Sequence, residues 1–367
     1  SNLQPNLSGN ITGVGADSGS RLAAGALNNP VVYNRLGTGL TVSQLITDFG
    51  RTRNLAESAS FRAQAENQAA QTVDADIVLE TDRAYFAVLR AQSVLTVSQE
   101  TVKARQLVSD QVTQLAQSKL KSQLDVSFAN VNLAQAKIQL SAAQNDLDSA
   151  KAQLATALGM PGQRDFVLAD EPMPGAVEAA ADTYIQQALQ KRPELADLRF
   201  QVNAAQKTVQ AERALSYPTV AVTGTAGFAP AGEAPIPGRY GAIGANISIP
   251  ILNGGLFKAR RTEAELRLAS AQKNVEDLQN RITRDVRIAW LNAMTAYEQV
   301  GLTAQLLDQA KLALDLAQSR YDLGLGSIVE LSQGQLNYTS AEIANASAKF
   351  DYQTQHSVLE FQLGNLR

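Results

Sequence analysis

The chain has 367 residues, 32 Lys+Arg against 35 Asp+Glu, a formal net charge of −3, no cysteine and a single histidine. Such a mixed surface offers nucleic acid no basic face. Without cysteine there is no disulfide, thiol catalysis or thiolate-held zinc, and His356 alone cannot build a triad or a multi-histidine metal site.

Residues 3–14 alternate apolar or glycine positions (Leu3, Leu7, Gly9, Ile11, Gly13) with Asn6, Ser8, Asn10 and Thr12, and residues 36–43 alternate likewise. A loop at 15–30, rich in Gly, Ala, Ser and Asn, separates them. The chain opens in mid-pattern with no visible signal peptide, so the native N-terminus is expected to lie upstream. From Gly50 the pattern is helical, with neither glycine nor proline between Arg51 and Leu158. The connector 160–181 carries three prolines. Asp182 then reads as the N-cap of a helix that breaks at Arg192-Pro193, resumes at Glu194 and ends near Ser216.

A second alternating pair follows, with Val220, Val222, Gly224, Ala226 and Phe228 on one strand and Ile243, Ala245, Ile247 and Ile249 on the other. The loop between them carries Pro230, Pro235 and Pro237. Tyr33, Tyr217, Phe228 and Tyr240 lie near strand ends, where an interfacial aromatic belt is expected. No apolar run reaches the roughly 18 residues of a membrane-crossing helix.

Residues 255–364 then repeat residues 50–159 without a gap at an offset of 205, placing Gly50 on Gly255, Ala84-Tyr85 on Ala289-Trp290, Leu124-Asp125 on Val329-Glu330 and Leu158-Gly159 on Leu363-Gly364. Apolar residues such as Ile282, Val286, Ala289, Ala293, Tyr297 and Val300 step by three and four, the coiled-coil period. Each unit is therefore expected to be a helical hairpin, about 65 residues up and about 35 back, its longer arm ~100 Å. Tyr85 and Trp290 are read as packing anchors, and His356 as a packing or surface residue.

The domain reading is a first repeat at 1–159, with strands 3–14 and 36–46 and hairpin 50–159, whose opening helix is missing. A connector at 160–181 leads to a second repeat at 182–367, with helix 182–216, strands 218–228 and 240–250, and hairpin 255–364. Strands of this length, apolar on one face and small or polar on the other, match an outer-membrane barrel wall, and a soluble antiparallel sheet covered on one side alternates in the same way. Four strands cannot close a barrel, and open edges cannot sit in lipid. Three copies would supply twelve strands, with their hairpins forming a tube.

The run Arg320-Tyr321-Asp322-Leu323-Gly324-Leu325-Gly326-Ser327-Ile328-Val329-Glu330-Leu331 resembles the hairpin-tip signature of the outer-membrane efflux proteins, the TolC family. So do Ser248–Gly255, its partner Ser43–Gly50, and Ala188-Leu189-Gln190-Lys191-Arg192-Pro193-Glu194-Leu195. The resemblance covers essentially the whole chain. It implies an α+β membrane protein: a homotrimer with a twelve-stranded β-barrel in outer-membrane lipid of a Gram-negative-type bacterium. A twelve-helix α-barrel would continue it across the periplasm. No enzyme activity, cofactor or nucleic-acid partner is implied. The expected partners are a periplasmic adaptor (membrane fusion) protein, docked at the hairpin tips, and an inner-membrane pump, in efflux or type I secretion.

By resemblance the tips are Ser118–Gln123 and Leu323–Ser327. Lys119 and Lys121 stand where the other tip has Gly324 and Gly326, so one tip is expected to be basic and the other, with Leu325 and Ser327, glycine-rich. Some family members close the periplasmic iris with a tyrosine and an arginine near one tip and place two carboxylates three residues apart just beyond it; Tyr321 matches the tyrosine and Glu330 the first carboxylate, and Asp125 is the first-copy equivalent of Glu330. Gly326 stands in place of the family's arginine and Gln333 in place of its second carboxylate, so the network is partial. A periplasmic or extracellular coiled-coil spacer without channel activity is the alternative; an enzyme is disfavoured by the lack of convergent acids or a phosphate-binding loop.

Overall fold

The structure, a computed structural model, describes residues 4–15, 35–160, 162, 166–177, 180–232 and 238–366. The expected loop at 16–30 and Leu3, Tyr33, Pro235 and Pro237 lie outside the described residues. The elements run β1 (Asn6–Val14), β2 (Arg35–Thr47), α1 (Arg51–Gln117), α2 (Gln123–Ala157), α3 (Ala181–Lys191), α4 (Pro193–Ala214), β3 (Thr219–Gly232), β4 (Arg239–Ser248), α5 (Leu256–Asp322) and α6 (Ile328–Gln362). Every bound of α5 and α6 is the matching bound of α1 or α2 shifted by 205: 51 to 256, 117 to 322, 123 to 328 and 157 to 362. Positive φ recurs at the same shift, at Phe49 and Gly254, Gly50 and Gly255, Lys119 and Gly324, and Gly159 and Gly364. These are the turns that start and end the helices, where a left-handed residue redirects the chain.

The chain divides into two compact units, one holding Ser1–Asn67 with Ala196–Glu276, the other Gln68–Leu195 with Asp277–Arg367. Each takes its parts from both halves of the sequence.

The first unit carries a four-stranded antiparallel sheet in the order β1-β2-β3-β4. Directly opposed residues share a face, so the register sorts the sheet. Leu7 opposes Val42, which opposes Gly224, which opposes Ile243; Gly9 opposes Leu40 and then Ala226. That face is apolar and bare, with Ile11 82% and Ile243 83% exposed. The reverse face is polar or small: Asn10 opposes Gly39, Ser8 opposes Thr41, and the Thr41 and Thr225 hydroxyls lie 3.3 Å apart. β3 runs to Gly232, past the expected 228, because Arg35 and Leu36 of β2 pair with Gly232 and Ala231.

Tyr240 departs from the expected belt. It pairs with Gly227 on the small-residue face, and a Cβ on Gly227 or Gly39 would collide with its phenol, so the ring lies over bare glycine backbone. Filling the hollow left by two missing side chains decides its side of the sheet. Phe228 does share the apolar face, and Tyr217 stacks against Phe49 at 5.4 Å where β2 gives way to α1. Below the sheet α4 packs on α1 through Ser58 Oγ donating to the Ala204 carbonyl (2.9 Å), Glu57–Lys207 (2.6 Å) and Phe61–Phe200. It meets α5 through Glu212–Arg260 and Arg213–Glu265.

The second unit holds the hairpins. Ala84, Val88 and Leu95 of α1 close on Leu147 and Leu154 of α2, small residues alternating with leucines at helical spacing. Residues 166–177 are strapped to the helices: the Tyr85 hydroxyl donates to the Ala169 carbonyl and the Tyr352 hydroxyl to the Gly175 carbonyl. Gln353 Nε2 donates to the Glu171 carbonyl at 3.1 Å, and Lys349 pairs with Asp170 at 3.0 Å. Tyr85 is thus engaged in packing, Trp290 is half-buried, and His356 stands 6.1 Å from the Tyr352 ring.

Asp182 is not an N-cap. Ala180 occupies that position without a side-chain hydrogen bond, and Asp182 sits in the first turn. There a carboxylate still favours the positive end of the helix, and it also meets Arg287 at 3.3 Å. The break at Arg192-Pro193 is a clasp: buried Arg192 pairs with Glu194 (2.5 Å), donates to Gln362 Oε1 (2.8 Å), and seats against Gly364. A Cβ on Gly364 would lie 3.1–3.2 Å from Lys191 and Arg192 backbone, whereas at its equivalent Gly159 nothing among the described residues lies within 4 Å.

Candidate functional site

The two hairpin tips belong to the second unit, and both are built by one device. At the first, Lys119 N donates to Ala116 O (3.0 Å) and Leu120 N to Leu115 O (2.8 Å). At the second, Gly324 N donates to Tyr321 O (3.1 Å) and Leu325 N to Arg320 O (2.8 Å). This paired closure of a helix C-terminus requires a left-handed residue. Gly324 adopts it at φ 74°; Lys119 adopts it at φ 59° despite its side chain. Ser122 and Ser327 then cap the return helices, each accepting a hydrogen bond of 3.1 Å, from the amides of Asp125 and Glu330 respectively.

The side chains diverge. Asp125 turns back to complete a capping box, accepting from the Ser122 amide and hydroxyl at 2.9 Å each. Glu330, in the same place, reaches across its own hairpin to Arg320 at 3.0 Å. Lys119 is exposed, but Lys121 is half-buried: its Nζ lies 3.7 Å from the centre of the Tyr321 ring and 3.4 Å from the Tyr321 carbonyl. The ammonium therefore sits on an aromatic face and at the negative C-terminal end of α5 at once. Of the two lysines of the basic tip, Lys119 faces outward and Lys121 joins the hairpins.

Tyr321 is 5% exposed and packs with Val112, Val126, Ala129, Ile328 and Leu331. Its hydroxyl is buried without a hydrogen-bond partner among the described residues. Burial first, then the nearby charges of Asp125 and Asp322, push its pKa above the usual tyrosine value. Asn132 donates to Ser332 at 2.7 Å and adds a second link between the hairpins. The tip surface is apolar, with Leu325 70%, Leu120 70% and Leu323 74% exposed. Gly326 is confined by the backbone of Tyr321 and by Arg320, and Ser327 is exposed. Tyr321, Lys121 and Asp125 are brought together, while Glu330 is drawn to Arg320. Neither Arg320 nor Lys121 is marked as a bridge by helical periodicity.

The outer membrane efflux protein model matches residues 3–160 and 184–365. The chain belongs to that family. The outer membrane efflux protein BepC of Brucella suis biovar 1 (strain 1330) is 24% identical over 327 residues, 87% of this chain and 70% of that protein. TolC of Escherichia coli (strain K12) is 23% identical over 353 residues, 92% and 71% of the respective chains. Among solved structures, the open-state MtrE outer membrane channel of Neisseria gonorrhoeae superposes with a TM-score of 0.80 at 22% identity, covering 100% of this chain and 82% of that one. The outer membrane protein VceC of Vibrio cholerae gives 0.82 at 19%, covering 98% and 86%. The fold is that of these outer-membrane channels, and the protein is an outer-membrane protein. Its family and these relatives are channel proteins rather than enzymes.

Proposed function

We propose that three copies of this chain form the exit duct of a tripartite efflux or type I secretion system. The observation that carries this reading is the sheet: its apolar face is bare, and β1 and β4 each have one unpaired edge among the described strands. An apolar face favours lipid, yet an open edge there leaves backbone groups unsatisfied, so strands of other copies must complete the wall. Three copies give a twelve-stranded barrel, and their hairpins a twelve-helix α-barrel through the periplasm. The tips dock a periplasmic adaptor that joins an inner-membrane pump. A coiled-coil spacer has no use for the bare apolar sheet.

The closure has a register. Within the chain Ser43 of β2 opposes Thr223 of β3; the pairings Asn6–Ser43 and Thr219–Ser248 set β4 on β2 at an offset of 205 and β3 on β1 at 213, so the equivalent pair is Ser248 of one copy and Asn10 of the next. With no native cysteine, Ser248→Cys with Asn10→Cys is expected to give an oxidation-dependent trimer on denaturing gels. A monomer throughout would sink the shared barrel.

Lys119, Leu325, Gly324, Gly326 and Ser327 form the docking surface of the tips. Tyr321 with Lys121 holds the two hairpins together, Asp125 caps the return helix beside them, and Glu330, repeated around the axis, lines the constriction. Three nearby carboxylates would attract cations. Planar-bilayer recording tests both roles: stepwise channels with reduced cation preference in Glu330→Gln are expected. Channels unchanged by that substitution would remove Glu330 from the constriction, and absence of channels would remove the duct.

A further inference from the structure

Within the second unit a cleft of about 1030 Å³ opens between the C-terminal part of α1 and the end of α5 with the middle of α6. Its walls carry opposite charge. On the α1 wall lies Arg105, 8% exposed, whose Nη1 is buried with no hydrogen-bond partner among the described residues. Across from it the lining includes Asp315 and Asp322 of α5 and Glu342 of α6, the last accepting from the Tyr338 hydroxyl at 3.1 Å. Glu100 adds one acid to the α1 side. Between the walls the lining mixes Leu107, Leu115 and Leu314 with glutamine amides. The repeat puts Ala310 where Arg105 stands, so the second half does not reproduce the arginine.

A desolvated guanidinium with an unmet donor is costly. Burial alone draws its pKa down, to about 10, and no carboxylate offsets that burial. The side chain keeps this position although four carboxylates line the same cleft, so the charges are separated by the space rather than paired across it. Whatever meets Arg105 in that space must bring its own anion. Whatever fills the space to the far wall meets acids, and there a cation is favoured. Drug-sized ligands occupy sites of roughly 300–1,000 Å³.

We propose that this cleft is a binding site for zwitterionic organic molecules of drug size, with the carboxylate on Arg105 and the ammonium at Asp315 and Glu342. This deepens the duct reading, on which it rests for its biological use: it names a substrate class that the duct wall retains near the tip. The anion specificity comes from Arg105, since a guanidinium–carboxylate hydrogen bond is charge-assisted and stronger than a neutral one. The cation specificity comes from the acidic wall. A molecule with one charge satisfies one side only.

The test uses 8-aminooctanoate, octanoate and octylamine, which share a chain length and differ in their charged ends. Each is titrated into the full chain in lipid nanodiscs by calorimetry. The expected order is 8-aminooctanoate binding about tenfold more tightly than either single-charge probe, the effect of one charged contact. Arg105→Gln should bring 8-aminooctanoate to the level of octylamine, and Glu342→Gln should weaken it and octylamine together but leave octanoate unchanged. Circular dichroism and thermal melting of each variant show whether the fold persists. Equal or absent binding of all three probes to the wild type would overturn the site. So would unchanged binding by Arg105→Gln, or a more stable Arg105→Gln whose wild-type parent binds nothing, which would mark Arg105 as a stranded charge. Channel recording on the same preparation separates loss of this site from loss of the duct.

Discussion

The two hairpin tips share a backbone and differ in what their side chains join. Both end a 67-residue helix with the same pair of hydrogen bonds and start a 35-residue helix with a capping serine. The first tip spends its carboxylate on its own cap and turns Lys121 toward the other hairpin. The second keeps a glycine turn, buries Tyr321 and ties Glu330 to Arg320. Duplication conserves geometry because the turn fixes φ at a few positions. It releases side chains, because a helix end leaves them free to find new partners.

The largest effect should come from the packing under the tips. Leu331 is fully buried beside Tyr321, while its first-copy equivalent Val126 is smaller and 8% exposed. Leu331→Ala should cost about 3 kcal/mol and Val126→Ala about half of that. Hydrogen exchange at the tip amides would show faster opening in the first variant. Equal protection in both would mean that the two tips do not differ in packing.

Next is the bridge between hairpins. Lys121→Met keeps the stem and removes the charge over Tyr321, a loss of about 1 kcal/mol. Tyr321→Phe keeps the ring and removes the unpartnered hydroxyl, so it should be neutral or stabilising. Tyr321 also carries a pH signature. Its folded pKa is raised above the usual tyrosine value by burial, so the neutral form is favoured in the fold. That contribution is present below about pH 10 and lost as pH rises toward the higher folded value. Alkaline melting of the tips should therefore begin earlier in the wild type than in Tyr321→Phe; coincident alkaline profiles would contradict it.

Much of the fold was legible because it rests on periodicity. Alternation marked both strand pairs, and the 205-residue offset recurs at all four bounds of the paired hairpin helices. What periodicity does not encode was not legible. An aromatic near a strand end can point to either side, and Tyr240 took the glycine side for steric reasons. Asp182 has the composition of a cap, yet a carboxylate one position into the helix satisfies the dipole as well. The family resemblance singled out Tyr321, but Lys121 beneath it comes from 200 residues earlier in the chain, a distance at which no local pattern operates. Lys119 in a left-handed turn is legible only through its alignment with Gly324.

That alignment sharpens the comparison further. Lys119→Gly removes the crowding of a Cβ at φ 59° and should stabilise the first tip by about 1 kcal/mol. Gly324→Lys should destabilise the second by a similar amount. Their sum should be near zero in the double variant if the turns are independent; a sum well away from zero would show that the tips communicate through the Lys121–Tyr321 bridge.

The smallest effect belongs to Arg320 and Glu330. Their side chains are 57% and 42% exposed, and exposed pairs contribute roughly 0.5 kcal/mol or less. The pair should matter little to stability and more to charge at the tip. While Arg320 holds Glu330 the pair is neutral; in the proposed trimer Arg320→Ala would free three carboxylates around the axis. Arg320→Ala should then raise cation preference in bilayer recordings, Glu330→Gln, which leaves the guanidinium unpaired, should lower it, and the double variant, with no charge at either position, should lie between the two and near the wild type. If Arg320→Ala lowers cation preference instead, the arginine does not mask Glu330, and the asymmetry of the tips would have to be explained by Lys121 alone.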